Sequence, residues 1–363
     1  MTGKAKTFAT FIAFNIVVVA TIVLLCEGLS SLILLAQNAS LTPPVAERQH
    51  TRYDPDLGWA GAPNINLPDM YGPGIGLQTN SQGFRSDKTF NAAPPAGQQR
   101  LICSGDSFTL GYGVDNYNNW CALLDSINPG WQTVNMGQGG YGIDQAYLWY
   151  RRDGAPLAHN IHLFTFITDD FERMQRAEFL GYGKPLLQLR DDSLAVTNVP
   201  VPRRAFYAPW LTQNSELLSQ LKIVQLMTRL FRPDDTVASP PPGNSDPAQI
   251  VAKIIEDLQR LNQQKGSTLI LVYLPTWADY DPATAGKTDQ WRQTIGQIAA
   301  ANNIPFFDLV EDFRRLPADS LYLLFIPEGN THFPQAAGHY SVRGNEFIAQ
   351  TLYDRLQGSR GAE

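Results

Sequence analysis

Five continuous apolar runs constrain the fold of this chain more than any other feature. They span residues 100–103, 132–135, 162–167, 269–274 and 304–307, and each ends at a polar or glycine-containing turn. Runs without polar alternation are typical of strands that are buried on both faces of a parallel sheet. The sequence therefore predicts a central parallel sheet.

Segments with helical periodicity lie between these runs, at residues 120–127, 143–152, 248–263, 287–301 and 342–356. Alternation of strand and helix is the pattern of a doubly wound α/β domain. One insertion, residues 172–246, interrupts the alternation. Its sequence predicts a hairpin over 186–201, a helix over 215–231 and a mobile proline-rich loop over 238–245.

The N-terminal segment is long and apolar enough to span a membrane. Residues 8–26 are almost entirely apolar, and after Glu27 the apolar character resumes through residue 35. A stretch of this length is typical of a transmembrane helix. Lys4 and Lys6 precede the stretch. By the positive-inside rule, the N-terminus lies in the cytoplasm and the rest of the chain lies outside.

We therefore predict an uncleaved anchor over residues 1–36, a polar stalk over 37–52 and one folded domain over 53–363. A bacterial inner membrane with a periplasmic or extracellular domain fits this organisation. A cleaved signal peptide is the alternative, although its apolar core is normally shorter.

The charge balance argues against a nucleic-acid partner. The chain carries 28 Lys and Arg against 34 Asp and Glu, a formal net charge of -6. Binding to a phosphate backbone needs clustered basic residues, and no segment supplies such a cluster. The partner expected from the composition is the membrane, through the N-terminal helix.

Polar motifs follow the first three apolar runs. They are Gly105-Asp106-Ser107, Asn135-Met136-Gly137 and Thr168-Asp169-Asp170. The carboxyl ends of parallel strands meet at one edge of a sheet, where open α/β sheets build their sites. The sequence thus predicts a site at this edge.

A serine in such a site needs an adjacent base before it acts as a nucleophile. The chain has five histidines. His50 falls in the predicted stalk, and His159 and His162 lie at the entry end of the third run, away from the predicted edge. His332 and His339 remain as candidates for the base.

Four segments carry a family resemblance: Gly83-Phe84-Arg85-Ser86, residues 104–111 (SGDSFTLG), residues 135–145 (NMGQGGYGIDQ) and residues 338–345 (GHYSVRGN). In order and spacing they resemble the SGNH/GDSL hydrolases, in the branch that carries an N-terminal membrane anchor. The resemblance covers the chain from about residue 53 to its C-terminus. It implies a flavodoxin-like three-layer α/β/α fold and an ester-cleaving or acyl-transferring activity.

The resemblance also implies roles for individual residues. Ser107 corresponds to the nucleophile, and His339, on the loop that leads into the last helix, corresponds to the base. His332 lacks that sequence frame. Gly137 corresponds to the oxyanion glycine, whose backbone N–H would act beside the N–H of Ser107.

Two positions depart from the family pattern. Ala336 stands where the family carries the aspartate that orients the base, so we expect either a dyad or a substitute acid, with Glu328 as the nearest candidate. The segment Thr168-Asp169-Asp170-Phe171 stands where the family carries a Gly-Xaa-Asn-Asp block whose asparagine is an oxyanion donor, and an ionised Asp169 cannot donate a hydrogen bond. The Thr168 hydroxyl is the candidate substitute donor. We expect no metal and no cofactor.

The sequence thus predicts an extracytoplasmic serine esterase or O-acyltransferase that acts on acyl or acetyl esters of a cell-surface glycan or lipid. Hydrolase and transferase share an acyl-enzyme and differ only in the acceptor. The alternative is a non-catalytic protein of the same fold that serves as a scaffold in polysaccharide assembly, in which Ala336 and Asp169 record lost machinery.

Overall fold

A computed structural model describes residues 3–41, 49–179, 182–202, 246–281, 284–329 and 331–360. The chain divides into two units. The described residues of the first form one helix, and those of the second, which begins at Ala46, form an α/β body. The predicted helix over 215–231 and proline-rich loop over 238–245 lie outside the described residues.

Helix α1 spans Gly3–Leu41. Its segment Phe11–Ser30, with a mean hydropathy of 2.4, is long and apolar enough to cross a membrane. An N-terminal signal sequence passes the same test of length and composition.

The predicted stalk over 37–52 is wrong at both ends. Residues 37–41 continue helix α1, so the helix outlasts the predicted anchor. His50 and Thr51 are buried, and a strand over Thr51–Asp54 pairs with Gly58–Gly61. The body therefore includes residues that the polar composition of this segment had assigned to a linker. Residues 42–48 are outside the described part of the chain.

Five parallel strands form the central sheet: β1 Gln99–Gly105, β2 Trp131–Gly137, β3 Ile161–Phe166, β4 Thr268–Tyr273 and β5 Phe306–Asp308. Their order is β2-β1-β3-β4-β5, and all neighbours are parallel. This is the flavodoxin-like order. The predicted fold class and all five predicted strands are confirmed.

Helices cover both faces of this sheet. The longer ones are α3 Trp120–Ile127, α4 Ile143–Trp149, α6 Pro247–Gln263, α7 Ala285–Ala301 and α10 Val342–Arg360; the shorter ones are α2 Ser107–Leu110, α5 Asp169–Arg173, α8 Val310–Arg314 and α9 Ala318–Leu321. Helices α4, α6 and α7 share one hydrophobic cluster with alternate strand residues such as Ile102. Helices α3 and α10 share the other cluster with Leu101 and Cys103. The body is thus a three-layer α/β/α sandwich.

Among the described residues, four antiparallel hairpins lie outside the central sheet. Besides the pair at 51–61, they are Asn66–Gly72 with Ile75–Gln78, Glu178–Phe179 with Tyr182–Gly183, and Leu186–Arg190 with Ser193–Thr197. The last of these confirms the predicted hairpin over 186–201 and ends earlier than predicted.

The strand order fixes where a site can form. Strand β1 lies between β2 and β3. The connection after β1 therefore leads to β2 on one side of β1, and the connection after β2 leads back to β3 on the other side. The connections diverge at the carboxyl ends of β1 and β3 and leave a crevice there, which is where ligands bind in open α/β sheets.

Candidate active site

Ser107 is the first residue of helix α2, directly after strand β1 and Asp106. The Asp106 carboxylate caps this turn by accepting a 2.9 Å hydrogen bond from the backbone N–H of Phe108. A side chain at Gly105 would collide with Thr165 and Thr109. The tight turn between strand and helix therefore needs glycine at this position, and it brings Ser107 to the crevice.

The structure brings His339 to Ser107. The Nε2 atom of His339 lies 2.7 Å from Oγ of Ser107. The loop that carries His339 is held by Ile326, whose backbone N–H donates to the His339 carbonyl at 2.7 Å and whose carbonyl accepts from Gly338 at 2.9 Å. Residues 232 positions apart in the chain are thus held at hydrogen-bonding distance.

Aromatic rings, rather than a carboxylate, surround the His339 imidazole. The Phe108 ring stacks on it with centroids 4.4 Å apart, and the Tyr112 ring lies 5.2 Å away. Nδ1 is buried and has no carboxylate partner among the described residues, and only the backbone of Ala337 and Ala336 acts to raise the pKa of the imidazole. Burial is the main reason that the pKa of His339 falls to about 4, and the nearby charge of Arg173 also lowers it. The imidazole is therefore neutral at pH 7.

The structure does not bring the predicted substitute acid to the base. The Glu328 side chain is exposed, and it does not occupy the position beside Nδ1. Ala336 is buried and offers no carboxylate. His332, the other candidate base, is exposed and does not line the pocket around Ser107. In the described part of the chain, Ser107 and His339 thus form a dyad.

Gly137 has a role that differs from the predicted one. Its backbone N–H donates to Oδ1 of Asn135 at 2.9 Å, so it is not available to an oxyanion. A Cβ at this position would lie 2.0 Å from the backbone nitrogen of Leu110. Gly137 is therefore needed for close packing of strand β2 against helix α2. This corrects its assignment as an oxyanion donor.

Two other glycines of the same turn line the pocket instead. Gly139 and Gly140 border it together with Ser107 and His339. The backbone N–H groups of Gly139, Gly140 and Ser107 make no hydrogen bond within the described structure. Backbone N–H groups of this kind can stabilise a developing oxyanion. The sequence motif contained both glycines, but the position of their N–H groups depends on the turn.

Thr168 and Asp169 do not reach the pocket. The Thr168 hydroxyl is 2.8 Å from the Tyr273 hydroxyl, which itself donates to Asp279. The Asp169 side chain is 70% exposed, and its nearest cation is Arg173 at 3.7 Å. Neither side chain takes the place of the family asparagine as an oxyanion donor, which corrects both assignments.

Arg173 is a pocket residue that the sequence did not indicate. It lies one turn after the Thr168-Asp169-Asp170 motif, and its guanidinium binds the buried carboxylates of Asp106 and Asp170. The spacing of three residues between Asp170 and Arg173 on a helix was the available signal, because residues so spaced share a face.

Arg85 supports the nucleophile from the far end of helix α2. Its buried guanidinium donates to the carbonyls of Leu110, Gly111 and Val114 at 2.7, 2.5 and 2.5 Å. Carbonyls at the end of a helix lack intrahelical partners, so these bonds satisfy and fix them. The segment 83–86 of the family resemblance therefore holds the helix that carries Ser107.

Side chains from outside the sheet form the walls of the pocket. Trp59 comes from the N-terminal hairpin, and Phe179 and Tyr182 come from the start of the insertion. The Trp59 indole N–H donates to the Gly139 carbonyl at 2.9 Å and so steadies the turn. Within the described residues, no group of three or more His, Cys, Asp or Glu is placed to hold a metal ion.

Comparison with solved structures finds several similar proteins. A lipolytic protein of the G-D-S-L family from Veillonella parvula is 13% identical, with 70% of this chain and 97% of that chain covered and a TM-score of 0.41. A lipase/acylhydrolase from Enterococcus faecalis is 12% identical, with coverages of 72% and 97% and a TM-score of 0.40. A catalytic mutant of an acetylxylan esterase from Geobacillus stearothermophilus is 14% identical, with coverages of 71% and 94% and a TM-score of 0.38.

No protein-family model matches the chain, and no curated protein matches it.

Proposed function

We propose that this protein is a serine ester hydrolase or O-acyltransferase that works through an acyl-enzyme on Ser107. The observation that carries the proposal is the 2.7 Å contact between Ser107 Oγ and His339 Nε2. It lies in a pocket lined by Gly139 and Gly140, whose backbone N–H groups have no acceptor among the described residues. Nucleophile, base and oxyanion donors at one point are the parts that acyl transfer requires.

The mechanism follows from these contacts. Oγ of Ser107 attacks the ester carbonyl while Nε2 of the neutral His339 takes its proton. The carbonyl oxygen becomes an oxyanion beside the N–H groups of Ser107, Gly139 and Gly140. Collapse breaks the bond to the alcohol, which receives the proton from Nε2 and leaves. Water, or a hydroxyl of an acceptor, then repeats the sequence on the acyl-enzyme and releases Ser107.

The substrate that we propose is an acyl or acetyl ester on a cell-surface glycan or lipid. Trp59, Tyr112 and Tyr182 line the pocket, and flat aromatic faces of this kind pack against apolar acyl groups and the C–H faces of sugars. The apolar segment Phe11–Ser30 supports attachment to a membrane, near such substrates.

The rival proposal is a non-catalytic scaffold. The observation that favours it is the His339 Nδ1 atom, which has no acid to orient it among the described residues. The retained contact between Ser107 and His339 argues against it, because a binding protein has no need of that alignment.

Labelling by a fluorophosphonate distinguishes these proposals. The probe phosphonylates an activated serine with loss of fluoride, so the purified chain should be labelled and Ser107→Ala should not. Ser126→Ala, which removes an exposed hydroxyl on helix α3, should label as the wild type does. Absence of labelling in the wild type would favour the scaffold.

We also propose that the body lies outside the cytoplasmic membrane, since Lys4 and Lys6 precede the apolar segment. Protease added to intact spheroplasts is expected to digest the body while a cytoplasmic marker survives. Survival of both would reverse the orientation. A chain that lacks residues 1–36 after export would instead indicate a cleaved signal sequence.

A further inference from the structure

One nitrogen of Arg173 contacts both the turn that precedes Ser107 and the turn that contains Gly139 and Gly140. Its Nη1 atom lies 3.3 Å from Oδ2 of Asp106, 3.2 Å from the Tyr141 carbonyl and 2.8 Å from Oδ1 of Asp170. The Arg173 side chain is only 15% exposed, and what it exposes lines the pocket that contains Ser107.

The two partners sit beside the two groups of donors. Asp106 directly precedes Ser107 and caps its turn through the N–H of Phe108. Tyr141 directly follows Gly139 and Gly140. A shift of either segment would stretch a bond to the same nitrogen, so Arg173 sets the distance between the Ser107 N–H and the glycine N–H groups.

Arg173 also balances a charge that would otherwise oppose the reaction. Asp106 is buried next to the nucleophile, where a bare carboxylate would repel a developing oxyanion. Burial raises the pKa of Asp106, and the positive charge of Arg173 opposes this rise. Asp170 shares the same guanidinium, and both burial and the charge of Asp106 raise the pKa of Asp170 well above its ordinary range.

The ring of Phe179, at the start of the insertion, covers the Arg173 guanidinium. The guanidinium carbon of Arg173 lies 5.3 Å from the centroid of the ring. Phe179 also lines the pocket, and a Cβ on Gly140 would lie 2.8 Å from its ring. An aromatic face over a guanidinium attracts it and keeps water away from it. The start of the insertion thus completes the pocket wall and secures Arg173.

We propose that Arg173 is the positioning residue of the oxyanion site: it clamps the Ser107 turn to the Gly139–Gly140 turn and neutralises Asp106. This inference rests on the proposed acyl-transfer function. The family resemblance had assigned a direct part in the oxyanion site to a side chain at position 169. Arg173 of helix α5 instead orders this site indirectly, through its contacts with Asp106 and Tyr141.

Steady-state hydrolysis of an acetyl ester by the full-length, detergent-solubilised chain tests the clamp. Arg173→Gln removes both the positive charge and the planar guanidinium that donates the hydrogen bonds. We expect kcat to fall about 100-fold and KM to stay within about threefold of the wild-type value, as for a loss of oxyanion stabilisation. Arg173→Lys keeps the charge but not the planar fork, and it should recover part of the loss. Arg176→Gln, on an exposed residue of the same segment, is the matched control.

A second measurement does not depend on catalysis. The clamp predicts faster hydrogen exchange in Arg173→Gln than in Arg176→Gln at the Phe108 and Tyr141 amides, which are hydrogen-bonded within the two clamped turns. Because Arg173→Gln leaves two buried carboxylates without a cation, Arg173→Gln/Asp170→Asn is included as the variant with the smaller folding penalty. It should show the same faster exchange and the same loss of kcat.

The outcomes separate the clamp from the proposed function. A wild type with neither esterase activity nor fluorophosphonate labelling, together with faster exchange in the variants, would reject the function and retain the clamp as a structural device. Exchange equal to the control would overturn the clamp. Faster exchange with unchanged kcat would overturn its role in catalysis, and a rise in KM alone would assign Arg173 to substrate binding instead.

Discussion

His339→Gln is expected to lower kcat for an acetyl ester by about 10³-fold, within the range that general-base catalysis contributes. The reason is that Ser107 Oγ has His339 Nε2 at 2.7 Å as its base. Gln preserves bulk and polarity but cannot take a proton at neutral pH. The double variant Ser107→Ala/His339→Gln should be little worse than Ser107→Ala, because residues that act as a unit are not additive.

His332→Gln is the matched control for this series. His332 is exposed and does not line the pocket, so its replacement should leave kcat close to the wild-type value. Glu328→Gln should also have little effect, because the exposed Glu328 side chain is not beside Nδ1. A steep loss in Glu328→Gln would restore the predicted acid, and a steep loss in His332→Gln would overturn the assignment of the base.

The pH profile of the wild type should show that His339 is a buried base without an acid partner. The base works in its neutral form, so activity is lost as the pH falls through the pKa of His339. Burial lowers that pKa to about 4. The acid limb of kcat/KM is therefore expected near pH 4 and not near the ordinary histidine value of about 6.5. A limb near 6.5 would contradict a buried imidazole that has no carboxylate partner.

Gly137→Ala is expected to destabilise the body by about 3 kcal/mol, at the upper end of the usual effects of overpacking. Its Cβ would lie 2.0 Å from the Leu110 nitrogen and 2.5 Å from the Thr109 carbonyl carbon. Both are backbone atoms of helix α2, so relief requires that the helix carrying Ser107 moves. Denaturant unfolding of the detergent-solubilised chain measures the stability, and ester hydrolysis measures the shift of Ser107.

Gly286→Ala is the matched control. Gly286 lies in helix α7, and a Cβ there would meet nothing within 4 Å. Alanine in a helix is favoured over glycine, so this variant should be stabilised by about 0.5–1 kcal/mol. If Gly137→Ala instead kept wild-type stability, the packing argument would be wrong.

The amino-acid sequence by itself determined the layers of the body. The apolar runs predicted all five strands and their parallel pairing, because residues buried on both faces of a sheet must be apolar wherever the strands lie in the chain. The sequence also limited the nucleophile and base to Ser107 and one of two histidines, since so few residues of the right chemistry follow the runs. It misplaced the stalk, because polar composition does not reveal that His50 and Thr51 are buried.

Only the tertiary structure decided how the site is built. A glycine N–H can donate to an oxyanion only if no other acceptor already binds it. The N–H of Gly137 donates to the Asn135 side chain, whereas those of Gly139 and Gly140 have no acceptor among the described residues. Whether a base has an acid depends on which loop faces Nδ1. The link from Arg173 to Asp106 joins residues 67 positions apart. Hydrogen bonds and charges act over a few ångströms between segments that are distant in the chain, so no local pattern of residues encodes them.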